Sequence, residues 1–564
     1  MLDIVEKICY REIAEMKTIT YFMRQKQKIK ELQIMKKYLA LVLSALILIG
    51  CLSACSSNEP AAKATDPVAS AAPAAADSNA DRALNIGISS EISNIVPMSN
   101  NVAVANRDGL IVFALYDPLI WYDTTTDTLK PWIATEWSHS EDGKEWYFTL
   151  RDDVYFHNGD KMTAEDVAWS LNLIPENPVV TDANIPGYGH AEVVDDTHVT
   201  VYMNTPFAAT ENFFASYHMV MLDKSYQEEV GWEGYIDHPI GTGPYKFVDR
   251  ALGAYVKMDA NEQYWQGAPD IKHVNLNILP DANSQLLSLE AGEVDVLQNV
   301  SLANCEKVEA MDGFTVDYCV AKTVAFINWG ANSKLDTDEN LRKAVACAIN
   351  YDSICNVLNK GHTVPVTCMI APGIHCRPAD GTFTAALSYD PDAAKEYLAQ
   401  STYTDADVLS IVVTAGAKEE SVCKVIQGNL NEVGINAELK AIDGATYSTL
   451  TGEGNFDIGI YSTLPSLYDC NLMYQFYIPG TATFDKSKCE QKEELGALAI
   501  ASLTEMDEEA RTDIFRQMCN IMNEHAVKLP LYQDCNTFCF NGSVTNVHAI
   551  PGTNVRIAEW SWAK

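Results

Sequence analysis

Positive charge is scarce in this chain: 40 Lys and Arg stand against 76 Asp and Glu, for a formal net charge of −36. So acidic a surface repels phosphate backbones, which excludes nucleic acid as a partner. Cysteine is absent between Cys55 and Cys305, and no Cys-x-x-Cys pair occurs anywhere. No histidine pair completes a zinc pattern, so neither a metal centre nor a cofactor is expected. The signatures of catalysis are missing too. There is no Gly-x-Ser-x-Gly elbow and no His-Glu-x-x-His helix. Gly241-Thr242-Gly243-Pro244 lacks the Lys-Ser/Thr that would follow in a phosphate-cradling loop. Paired carboxylates arise by chance in so acidic a chain, and no Ser, His or Cys stands in a nucleophile setting. The chain is not expected to be an enzyme.

What is present begins at the N-terminus. Met35-Lys36-Lys37 precedes an apolar run from Tyr38, which closes on Leu52-Ser53-Ala54-Cys55. A basic start, a short apolar stretch and small residues beside the cut describe an export signal. The four closing residues resemble a bacterial lipobox, which implies lipidation of Cys55 and attachment to the outer face of a membrane. The run also approaches spanning length, so an uncleaved anchor is the alternative. Leu48-Ile49-Gly50-Cys51 is a second, weaker lipobox. The expected organisation is an extension over 1–34, a signal over 35–54 and a flexible tether of small residues over 55–82.

From Leu84 onward, strand and helix patterns alternate. Trp146, Phe148 and Leu150 alternate with polar neighbours, as in a half-buried strand. Thr163 is placed to cap a helix that has Glu165 and Asp166 in its first turn. Helix signals over 282–291 and 422–433 each run through a glycine into a strand. Leu341, Val345, Ala348 and Ile349 mark another amphipathic helix, and Asp390-Pro391 starts one more. Such repeated units call for an α/β fold with helices packed on mixed sheets.

Read in order, these segments resemble the bacterial extracellular solute-binding proteins of family 5, which serve peptide and nickel ABC importers. The strings are PWIATEWSHSEDGKEWYFTLRDDVYFHNGDKMTAEDV, PIGTGPYKF, NEQYWQGAP, LPDANSQLLSLEAGEVDV, LRKAVACAINYDSI, SYDPDAAKEYL, LNEVGINAEL and EHAVKLPLY. The resemblance implies a two-lobed fold of the type II periplasmic-binding-protein kind, with a hinge and an extra subdomain on lobe one. Lobe one would span 83–322, lobe two 323–534, and 535–564 would return to lobe one. Ligand would be clamped between the lobes and passed to a permease powered by a separate ATPase, with the protein acting as a monomer. Short peptides come first, a nickel chelate second, and a ligand sensor without transport third. Tyr264 and Trp265 read as packing anchors.

The ligand contacts implied by the resemblance centre on Tyr461-Ser462-Thr463-Leu464-Pro465-Ser466-Leu467-Tyr468-Asp469. Peptide binders place a Trp-x-x-Asp there to hold the amino terminus, but here Thr463 and Ser466 fill those places. Asp469 matches the acid of a structural turn, and ligand contact is its other reading. Tyr468 matches a pocket tyrosine of the nickel binders. Their pocket tryptophan becomes Leu464, their loop histidine becomes Thr481, and no arginine stands near Ser216 to Met219. His218 lies close by, but a lone histidine reads first as an ordinary surface or core residue. An anionic chelate would want a positive group that is not evident in the sequence. Trp329, beside Asn328 at the entry to lobe two, is placed either to face the ligand or to be buried at the hinge. Buried, unpaired thiols are expected for the cysteines, although Cys368 with Cys376, or Cys535 with Cys539, would bridge if geometry allowed.

Overall fold

The computed structural model describes residues 82–92, 94–99, 109–177, 185–359, 362–463, 467–471, 476–479 and 481–564. The expected signal, tether and Cys55 therefore lie outside the described residues, as does Ser466. No described helix is long and apolar enough to cross a membrane.

The chain opens with β1 (Ala83–Ile88), followed by a hairpin of β2 (Ile120–Asp123) and β3 (Thr128–Pro131). A separate four-stranded sheet then forms from β4 (Ala134–His139), β5 (Glu145–Leu150), β6 (Tyr188–Asp195) and β7 (His198–Met203), in the order β4-β5-β7-β6. Trp146, Phe148 and Leu150 of β5 point into the core, as their alternation predicts. The crossing helix Ala164–Asn172 begins at Thr163 with a reciprocal capping box closed by Asp166.

Three strands, β8 (Tyr245–Ala251), β9 (Tyr255–Ala260) and β10 (His273–Ile278), return to β1, with β10 parallel to it. β11 (Val296–Gln298) pairs on its other side. The long β12 (Phe314–Trp329) leads away, and the short β13 (Val364–Pro365) follows. Next, β14 (Leu409–Thr414), β15 (Ala437–Ile442) and β16 (Ile458–Thr463) form a parallel set, with the expected helices Pro391–Ala399 and Glu419–Glu432 around them. The long β17 (Leu529–Asn541) comes back, and β18 (Val544–Thr545) pairs with β19 (Ser561–Trp562).

These pieces join into one eleven-stranded sheet in the order β15-β14-β16-β12-β17-β11-β1-β10-β9-β8, with β13 beside β17. The antiparallel pair β12 and β17 is the seam between its two halves. The pairing slips between Val320 and Val324, opposite Cys535 and Gln533. The expected lobe boundaries, at 322/323 and 534/535, fall within that slipped stretch, one on each strand. One apolar cluster crosses the seam, holding Ile370, Tyr468 and Met518 with Leu84 and Trp146, while a second, from Ala325 to Tyr532, lies wholly in the other half.

The strings PIGTGPYKF and NEQYWQGAP owe their form to one buried carboxylate. Asp117 accepts hydrogen bonds from Trp132 Nε1 (2.7 Å), Thr242 Oγ1 (2.9 Å), Tyr264 Oη (2.9 Å) and Trp265 Nε1 (3.3 Å). Burial pushes this carboxyl up, and the four donors pull it back only in part. Tyr264 and Trp265 are thus packing anchors in the structure. A Cβ on Gly243 would stand 2.5 Å from the Leu115 carbonyl carbon and on Gly241 2.1 Å from its oxygen, so only glycine admits this approach.

Neither expected cysteine bridge has its geometry. Cys535 and Cys539 lie four residues apart on β17, about 13 Å at the strand rise. The Cys539 thiol instead meets Cys305, with the sulfurs 3.7 Å apart, and the Cys368 thiol meets Cys519 rather than Cys376.

Candidate functional site

A cavity of about 340 Å³ opens at the far end of β12, within the size range of small-molecule sites. Three expected contacts line it: Asn328 and Trp329 from β12, and Tyr461 from β16. Register explains the convergence of Asn328 and Tyr461. Phe326 of β12 faces Tyr461, and Asn328 faces Gly459. Because alternate residues share a face, Phe326, Asn328, Tyr461 and Gly459 lie on the same side of the sheet. Gly459 puts no side chain there, and the rings of Phe456 and Tyr461 pack over it, each 3.1 Å from where a Cβ would stand.

Phe456, Phe476, Tyr477 and Phe484 complete an aromatic wall, and Lys486, Lys492 and Lys528 supply positive charge. Lys528 immediately precedes β17, and that strand's pairing of Leu529 with Ile327 sets it beside Asn328. Its side chain is buried, and Nζ donates to Asn328 Oδ1. The ammonium also lies 5.3 Å from the ring centre of Phe476 and 5.8 Å from that of Phe326. Burial lowers its pKa to about 8, against the attraction of Asp336. This is the positive group that is not evident in the sequence. Its signal is a lone lysine inside the apolar run Ala526-Val527-Lys528-Leu529-Pro530-Leu531. Every lining residue falls between Asn328 and Lys528, so the segment expected as lobe one contributes none of them.

Trp329 is buried and lines the cavity, at the end of β12 away from the bulge. Its Nε1 donates to the Ala526 carbonyl at 3.1 Å. Tyr468 and Asp469 lie elsewhere. The Tyr468 ring stacks on Tyr122 with centres 4.4 Å apart, and its hydroxyl accepts from the Thr553 amide at 2.9 Å and donates to Asn554 Oδ1 at 3.2 Å. It ties the segment around 468 to the C-terminal loop.

Asp469 is fully buried and accepts two hydrogen bonds from Arg511, at 2.7 and 2.6 Å, and one from His375 at 3.1 Å. Burial alone would raise its carboxyl, but the Arg511 charge and the His375 bond outweigh it and hold the group well below the usual range. In turn the Asp469 bond raises His375 to about 10. His375, Cys376 and Asp469 place donor atoms within 4.8 Å of one another, a spacing a metal ion could bridge. Arg511 contacts both Asp469 oxygens and lies 3.5 Å from Cys376 Sγ. A guanidinium therefore already supplies the cation of that cluster. His218 is buried, and burial lowers it to about 4, which makes it a neutral core residue.

The class defined by this sheet, with two long antiparallel strands joining two α/β halves, is that of two-lobed binding proteins, and the cavity here is lined by one half alone. The chain belongs to the bacterial extracellular solute-binding proteins of family 5, whose middle-region model matches residues 128–484. It is 25% identical over 475 residues to the nickel-binding periplasmic protein of Escherichia coli K12, covering 78% of this chain and 87% of that one. It is 23% identical to the glutathione-binding protein GsiB of Pectobacterium atrosepticum, covering 66% and 72% of the two chains. In fold it resembles the ABC transporter substrate-binding protein CtaP of Listeria monocytogenes, with a TM-score of 0.75 at 21% identity over 86% and 99% of the two chains.

Proposed function

We propose that this chain is an extracytoplasmic lipoprotein that captures a small solute, short peptides foremost, for an ABC importer. The observation that carries this reading is the convergence of Asn328, Trp329 and Tyr461 on one cavity beside the strands joining the two halves. Cys55 is the proposed point of lipid attachment, and the monomer hands its cargo to a permease driven by a separate ATPase. The segments 83–322 and 535–564 act as one lobe and 323–534 as the other, hinged at the β12 and β17 bulge. The work is binding rather than catalysis.

Short peptides suit the site because main-chain groups can be held whatever their side chains, while an aromatic wall accepts varied apolar ones. The glutathione-binding relative handles a peptide. A nickel chelate is the second reading, favoured by the nickel-binding relative and by Lys528, which offers an anionic chelate its counter-charge.

Native mass spectrometry of the full chain, purified in mild detergent without refolding, tests this. A ladder of bound masses matching short peptides is expected. A single nickel-bearing adduct would move the chain to the second reading. Empty protein that gains no mass from a peptide mixture or from nickel with histidine would sink solute capture.

A further inference from the structure

The three lysines of the cavity have only neutral hydrogen-bond partners. Lys486 donates to the Gly452 carbonyl, Lys492 to the Ser487 carbonyl at 2.8 Å, and Lys528 to the Asn328 amide. One carboxylate, Asp336, also lines the cavity, but its oxygens are taken by Ser487 Oγ at 2.8 Å and the Lys488 amide at 2.5 Å. The opening therefore carries surplus positive charge in a chain of net charge −36. A buried ammonium facing aromatic rings and one amide is under-solvated, and an entering anion would restore what burial removed. A second group awaits a partner as well. The hydroxyl of Tyr477, a buried lining residue, makes no hydrogen bond among the described residues.

We propose that this cavity receives the carboxylate of a small molecule with an apolar or aromatic body, and that Lys528 is its anchor. The inference rests on the solute-capture reading and specifies which end of the solute is recognised. In that reading the peptide amino terminus, whose aspartate partner is replaced here, gives way to the carboxyl terminus as the recognised end. Lys528 forms the charged hydrogen bond, Asn328 holds the ammonium in place, and Tyr477 offers a second donor. Phe456, Phe476 and Phe484 take the apolar body.

The test is calorimetric titration of the full chain in detergent with three probes: the dipeptide Ala-Phe, its C-terminal amide, and 3-phenylpropionate. Wild-type protein is expected to bind Ala-Phe at least about tenfold more tightly than the amide. In Lys528→Met that preference disappears, while Lys395→Met, on the exposed face of the helix Pro391–Ala399 and outside the cavity, retains it. Binding of 3-phenylpropionate that depends on Lys528 identifies free aromatic carboxylates as ligands, whereas its failure beside successful Ala-Phe assigns the site to peptide termini. Equal binding of acid and amide, a preference surviving in Lys528→Met, or no acid binding at millimolar concentration would each overturn the anchor. Solute capture is judged separately, by whether the same preparation retains other bound masses in native spectra.

Discussion

At Lys528, what serves a ligand works against the empty fold. An ammonium whose pKa falls from 10.5 to about 8 on folding costs roughly 3 kcal/mol at neutral pH. Replacing it with methionine removes that cost but leaves Asn328 without its donor, so a net gain of about 1–2 kcal/mol is expected. Lys528→Met should therefore melt a few degrees higher than wild type when both are empty. The pH dependence has a definite sign. Between about pH 8 and 10.5 the unfolded chain holds a proton that the folded wild type has released, so wild-type stability gains with pH there. The variant lacks this gain, and the gap between the two should narrow across the same window. Melting curves recorded at pH 7 and pH 9.5 check it; a constant gap would mean that Lys528 is not the depressed group.

Among the elements, the loop Gly241–Pro244 and the turn carrying Tyr264 and Trp265 are joined through Asp117 as well as by the Asn261 amide bonded to the Pro244 carbonyl at 2.8 Å. Gly243→Ala would drive a methyl into the Leu115 carbonyl and the Tyr116 amide, neither of which can yield without moving the end of the helix Gly109–Leu115. A loss of about 2–4 kcal/mol is expected, read as a lowered urea midpoint with little change in slope. This hub also shows why the motif strings are recognisable in order while their purpose is not. Glycine and aromatic spacing are visible locally. The acceptor they share lies more than a hundred residues away, in a segment that carries no motif.

For the whole molecule, the proposed motion is a rotation of the two halves about the bulge where β12 and β17 fall out of register. Two long strands crossing one seam permit bending without breaking the sheet. Tyr468 stacked on Tyr122 links the segments 83–322 and 323–534. Adding a captured solute to the empty chain should reduce the radius of gyration in solution scattering. An unchanged radius at saturation would rule out clamping.

The order of strands and helices, the helix caps at Thr163 and Asp390, the family resemblance and the likeness to an export signal were all legible in the amino-acid sequence. Each depends on neighbours a few residues apart, through side-chain alternation, capping or turn chemistry. Asn328, Trp329 and Tyr461 were reachable as candidates because the resemblance pointed to their segments. Only the tertiary structure decided that Tyr468 and Asp469 face other partners and that Asn328 meets Lys528. Sequence spacing carries no record of which face of β12 lies against which residue of β17, two hundred positions later. Strand register sets that, and it takes the whole sheet to specify it.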